Sequence, residues 1–355
     1  FGEPGFEERE TIANGLDVAA RSGFTHIAYN TNTLPMPDSR ADIAFLLEQA
    51  NGKATKLYPK ACVTSAQSKE KLAPLRELHA AGALSFSNYK TAITNANTLK
   101  LALQYTHDFD AIVESFAYNN DMANDGIMHE GAVSTSLGLK GIPSVAESMQ
   151  LQRDLDVLRY AKGKLHVPTL STETSIELIK AAKKAKLDIS CSVAIHNLFF
   201  NDEALQGFDA NAKIVPPLRE ESDQKALKNA LLEGVIDMVT SDHQPLNSEL
   251  KNVELDQAHF GSIGLEHSFC CLLSMFSLEQ TVEILSRGKN RFGIAEQAIE
   301  VGAIADLSLF TPSGASEITK TSIFSASKNS LFIGQTLPGR VYGIIAQGKS
   351  QVYNA

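Results

Sequence analysis

The residues of this chain best placed to do chemistry are Asp242 and His243, in the stretch Met238-Val239-Thr240-Ser241-Asp242-His243-Gln244-Pro245. The apolar run before them reads as a buried strand, so a carboxylate and an imidazole arrive together at its C-terminal end. In parallel α/β proteins that end is where substrates are met. Asp242 has two readings: a general base, or a carboxylate that closes the strand-end turn on backbone amides. A base needs a partner that activates the attacking group, and few residues arrive to help it, which weighs toward the second reading. His243 reads as a packed or solvent-facing residue. His166 and His196 sit in or at the end of apolar strands, where a core histidine is the usual case. His129 lies in a loop. Asn32 and Arg219 are the best polar groups for an anion, although Arg219 also has Glu220, Glu221 and Asp223 close in sequence. The acidic pairs Glu7-Glu8 and Glu220-Glu221 are expected to be solvated surface.

Elements that could position these groups recur along the chain. A helix over 7–22 precedes a strand over 25–29, and the unit repeats with strands over 57–63, 83–87, 111–116, 165–170, 189–195 and 236–241. Helices are expected over 39–49, 68–80, 97–105, 146–161, 175–184 and 223–232, then near 266–275 and 278–286. Alternation at roughly 25–40 residues implies a parallel sheet wound with helices, and the length favours a (β/α)8 barrel over an open sheet. Seven strands can be placed, and the first barrel strand is expected upstream of Phe1. The expected division is a barrel over 1–300 and part of a small β-rich domain over 301–355, with strands at 307–310 and 340–346.

With 355 residues and 43% of them hydrophobic, the chain can bury a large core. A net charge of −9 offers no basic patch for nucleic acid or an anionic membrane. No apolar run is long enough to span a bilayer, and no leader of basic and apolar residues is expected. Cys62, Cys191, Cys270 and Cys271 lie in apolar runs without CxxC spacing, as reduced core thiols do, so a cytoplasmic location is expected.

Several segments carry a family resemblance. Gly2-Glu3-Pro4-Gly5-Phe6-Glu7, Asn32-Thr33-Leu34-Pro35, Met128-His129-Glu130-Gly131, Leu137 to Pro143 and Arg153-Asp154 resemble dihydroorotases of the amidohydrolase superfamily. So do Pro216-Pro217-Leu218-Arg219, Ser241 to Pro245, Gly264-Leu265-Glu266, Ala305-Asp306-Leu307 and Ser327-Lys328-Asn329-Ser330, and the match is collinear along the chain. The resemblance implies a distorted (β/α)8 barrel with a small β-domain, and reversible cyclisation of carbamoyl-aspartate to dihydroorotate by zinc-activated hydroxide. Zinc supplies that chemistry by lowering the pKa of its water and polarising the amide.

The ligand positions that the resemblance implies are altered. A His-x-His would fall just before Phe1, and Gly2 takes the place of the arginine that follows it. Asn88 stands where a ligand Asp is expected, Phe116 and Thr169 where histidines are expected, and Asp242 alone keeps its type. Among implied substrate contacts Asn32 is kept, while Val215 and Leu246 replace an Asn and a His. His259 precedes the glycine-bearing loop at Gly261 that the resemblance places behind the substrate. Asn88 could offer only a neutral carbonyl oxygen. Phe116 and Tyr118 are expected to fill the vacated metal cavity.

These residues lead to the expectation of a non-catalytic dihydroorotase homologue without a cofactor, serving assembly or regulation in pyrimidine biosynthesis. Its expected partners are aspartate transcarbamoylase or an active dihydroorotase, and a homodimer is expected. Two alternatives stay open: an active dihydroorotase with an atypical zinc site, and an amidohydrolase-fold protein binding another small ligand through Asn32, Asp242 and the Gly261–Gly264 loop.

Overall fold

Seven short parallel strands form an arc in the computed structural model, which describes residues 1–66 and 68–353. They are β1 (His26–Tyr29), β2 (Lys56–Pro59), β3 (Phe86–Ser87), β4 (Ile112–Glu114), β5 (Lys164–Val167), β6 (Ile189–Ala194) and β7 (Met238–Thr240). The hydrogen-bonded order runs β7-β6-β5-β4-β3, and a parallel bridge from Ala61 to Phe86 joins β3 to the β2-β1 pair. β6 is buried along its whole length, as a strand covered on both faces should be. β1 and β7 are only partly buried. Each has one strand neighbour among the described residues, and both line the same cavity.

Helices cover the outside of the arc: α1 (Ile12–Arg21), α2 (Arg40–Gln49), α3 (Leu75–Ala80), α4 (Ala96–His107), α5 (Val145–Ala161), α6 (Glu173–Lys184) and α7 (Glu221–Leu232). α8 (Ser268–Met275) and α9 (Leu278–Ser286) follow β7. Their starts are legible in the chain. Thr11 caps α1 through the Asn14 amide, Thr172 caps α6 through the Ser175 amide, and Ser39 with Asp42 forms a capping box on α2. One continuous core runs from Ile43 and Phe86 through Leu103, Leu165 and Val193 to Leu272 and Phe332.

The tail forms a three-stranded antiparallel sheet of β8 (Leu307–Glu317), β9 (Thr336–Ala346) and β10 (Lys349–Val352). It packs on the helices: Ile344 and Ala346 meet Ala20 and Ala54, and the Phe269 and Phe310 rings lie 4.7 Å apart.

The helix expected over 68–80 is a correction; residue 67, beside it, lies outside the described residues. Ser68–Leu72 is a strand paired antiparallel with Thr64–Ser65, and the helix begins only after Pro74. Proline lacks the amide and clashes with the preceding turn, so Pro74 fits the start of a helix and not its interior. The expected helix bridged that stop.

Candidate functional site

At the C-terminal ends of the strands, three residues hold left-handed backbone conformations: Tyr89 after β3 (φ 55°), Thr169 after β5 (φ 50°) and Asp242 after β7 (φ 42°). Bulky and β-branched residues avoid this region, at a cost of about 1–3 kcal/mol each. A hydroxyl accepts each strained amide. Tyr89 N–H donates to Ser87 Oγ at 3.0 Å, Thr169 N–H to Ser192 Oγ at 3.2 Å and Asp242 N–H to Thr240 Oγ1 at 3.3 Å. The serine and threonine content of the strand ends therefore fixes the shape of the mouth.

Asp242 is buried, and its carboxylate is engaged. Lys90 Nζ donates to Asp242 Oδ2 at 2.8 Å, to Gln244 Oε1 at 3.1 Å and to the Val215 carbonyl. An ammonium has three N–H groups, and here all three have oxygen acceptors. The side chains of Lys90 and Asp242 are 9% and 6% exposed, so this is an interior ion pair. Burial pushes the Asp242 carboxyl up and the Lys90 ammonium down, and their mutual attraction opposes both shifts. The net directions stay up for Asp242 and down for Lys90, while all three Lys90 N–H groups remain hydrogen-bonded.

The other positions at which the resemblance led one to expect ligands are engaged as follows. Asn88 turns its side chain to the loop after β2: Oδ1 accepts from the Val63 and Thr64 amides, and Nδ2 donates to Thr64 Oγ1. Phe116 stacks on Tyr118 at 5.5 Å between ring centres. Thr169 Oγ1 is buried without a hydrogen-bond partner. A phenyl ring, one hydroxyl, an amide turned away and a carboxylate already neutralised do not make a zinc site. Among the described residues no cluster of three or more His, Cys, Asp or Glu is arranged to hold a metal.

Beneath the mouth is a cavity of about 400 Å³, lined by Asn30, Lys60, Glu114, His166, Thr169 and Asp242 among others. Lys60 Nζ donates to Glu114 Oε2 at 2.8 Å, and Ser85 Oγ donates to Glu114 Oε1 at 2.6 Å. Burial, the largest single influence, pushes the Glu114 carboxyl up, but Lys60, His166 and the Ser85 hydrogen bond together outweigh it and the net shift is down. His166 Nδ1 lies 2.9 Å from Ser190 Oγ, and burial pushes its pKa down to about 4. The expected substrate contacts stand apart from this cavity. Asn32 is half-buried and outside its lining, and His259 is exposed, offering its carbonyl to Lys251 Nζ at 2.9 Å. Gly261 is held against the loop after β7, where an added Cβ would meet the Gln244 side chain at 3.0 Å.

Arg219 is buried and spent on internal bonds. Its Nε donates to Ser171 Oγ at 3.0 Å, and Nη1 donates to the Ile142 carbonyl at 2.9 Å and lies 3.1 Å from His129 Nδ1. Ser171 and Thr172 in turn donate to the buried Glu147 carboxylate. His196 and His267 pack on Phe332 at 5.4 and 5.2 Å, and His243 accepts weakly from the Leu265 amide at 3.4 Å. All three are core histidines.

Asn329 clamps the segment after β7. Its Nδ2 donates to the Gln244 carbonyl at 2.9 Å and to the Gly261 carbonyl at 3.3 Å, and its Oδ1 accepts from the Leu246 amide at 3.0 Å. Asn329→Ala strands these groups in a buried place, and a loss of about 2–3 kcal/mol is expected by urea unfolding. An unchanged midpoint would show that the clamp holds nothing.

Residues 1–175 match the Dihydro-orotase-like family. A dihydroorotase of Pelotomaculum thermopropionicum is 34% identical over 98% of this chain and 83% of its own length. Another from Caldicellulosiruptor saccharolyticus is 35% identical, again over 98% and 83%. Among solved structures, the L-hydantoinase of Arthrobacter aurescens superposes with a TM-score of 0.86 at 21% identity, over 98% of this chain and 81% of that one. The dihydropyrimidinase of Brevibacillus agri gives 0.82 at 24% identity, over 98% and 80%. These likenesses place the arc of strands in the amidohydrolase barrel fold.

Proposed function

From the premise that the chain belongs to the dihydroorotase family of amidohydrolases, we propose that it is a member that has given up zinc-hydroxide chemistry. Its role is assembly or regulation in cytoplasmic pyrimidine biosynthesis, and it works without a cofactor. The observation that carries this reading is the Lys90 ammonium seated on Asp242. The internal ammonium engages Asp242 Oδ2 and disfavours proton uptake there, and Phe116 and Thr169 supply no metal ligand beside it. The proposed partner is aspartate transcarbamoylase or an active dihydroorotase, with the chain itself a homodimer.

The reading is tested on the full-length protein by assaying dihydroorotate hydrolysis with and without added zinc, and by size exclusion with each partner. No turnover together with coelution of one pair supports it. Turnover lost in Asp242→Ala, or failure to bind either partner at micromolar concentration, counts against it.

A second reading has one specific observation in its favour. Three strained residues surround a cavity of about 400 Å³, and strain of this kind collects at working sites. On that reading the mouth binds a small ligand without transforming it, and a non-metal ligand retained through purification would support it.

A further inference from the structure

The Lys90 ammonium joins three separate parts of the mouth: its own segment after β3, the Val215 carbonyl, and Asp242 with Gln244 after β7. The acceptors are one carboxylate and two neutral oxygens, which together carry a single negative charge. Such a set suits one hydrogen-bonding monovalent cation; it lacks the imidazole or thiolate donors that favour zinc. The cradle is also built from behind. Asn329 fixes the Gln244 backbone, and Asp242 is held in its left-handed turn with Thr240 Oγ1 accepting its amide.

We propose that Asp242, Gln244 and the Val215 carbonyl form a binding site for a primary ammonium, and that Lys90 fills it as a tethered ligand. Lys90 thereby balances the charge of Asp242 and links the strand-end loops, tasks that a resident metal ion performs in a metal-bearing barrel mouth. The inference rests on the reading above, that the mouth has lost its zinc chemistry. It adds what the site now selects: an N–H donor cation of small radius, supplied by the chain itself.

Lys90→Ala removes the cation and leaves the oxygens. Its melting temperature is expected to fall by about 5–10 °C, and methylammonium chloride is expected to restore most of that loss saturably. Tetramethylammonium, which has no N–H, and sodium or potassium chloride at equal ionic strength should not. Lys90→Met, whose side chain fills the volume of the stem, should melt low and stay low in methylammonium. If Lys90→Ala does not fold unaided, its refolding yield from urea in each salt is the readout, with the same expected order. Equal rescue by potassium, or no response to methylammonium, would overturn the cradle. Neither result bears on wild-type turnover, so failure here is distinct from failure of the proposed function.

Discussion

Lys90→Met and Asp242→Asn will each destabilise the protein by about 3–5 kcal/mol, and the double variant will be more stable than the worse single by at least about 2 kcal/mol. The pair is buried, with side chains 9% and 6% exposed. Removing one partner leaves the other charge desolvated and uncompensated, which costs far more than losing the pair as a unit. In Lys90→Met the carboxylate is stranded; in Asp242→Asn the ammonium is. The double variant strands neither. Urea unfolding of the four proteins closes the cycle. Additive single losses would mean that the two side chains do not meet in solution.

Acid will weaken the fold well above the pH at which ordinary carboxylates titrate. His196 and His267 have pKa values pushed down to about 3, and His166 to about 4, in each case chiefly by burial. In the unfolded chain these groups titrate near 6.5. Above pH 6.5 both states hold neutral imidazoles, and the stability is fully present. Below it the unfolded chain binds protons that the folded core refuses, so stability falls as the pH drops toward the folded values. At pH 5 each histidine costs about 2 kcal/mol, and the three together about 6. That is a large part of a net stability of about 5–15 kcal/mol. Asp154 and Asp242, whose carboxyls burial raises, act in the opposite sense as the pH nears their own range. The clean window therefore lies between about pH 6.5 and 5. Urea midpoints measured across it should fall steeply; a flat profile would show that these histidines are accessible or charged in the fold.

The barrel was legible because each strand is a short apolar run set between helical stretches, several of which open on a capping residue such as Ser39, Asn95 or Thr172, and six of the seven helix–strand units appear in place. The hairpin over Thr64–Leu72 was not, since Ser68–Leu72 is polar and mimics a helix until Pro74 is weighed. β10, Lys-Ser-Gln-Val, lacks an apolar pattern altogether. At the site, the family resemblance drew attention to Asn88, Phe116 and Thr169 as expected former ligand positions. It overlooked the residue gained. Lys90 follows the β3 segment by three positions, and a lysine in a strand-end loop ordinarily reads as surface. Its acceptors Gln244 and the Val215 carbonyl left no trace either, because an amide side chain and a backbone oxygen carry no motif. The buried Lys60–Glu114 pair was similarly hidden: each residue alone is a charged position at the edge of an apolar run.

The central claim, that an internal ammonium stands where this family's chemistry would require zinc, is tested most directly by titrating the full-length protein with zinc in a calorimeter at neutral pH, beside Asp242→Ala. The account predicts no stoichiometric uptake by the wild type and no difference between the two proteins. One or two zinc ions bound per chain, with uptake lost in Asp242→Ala, would contradict it.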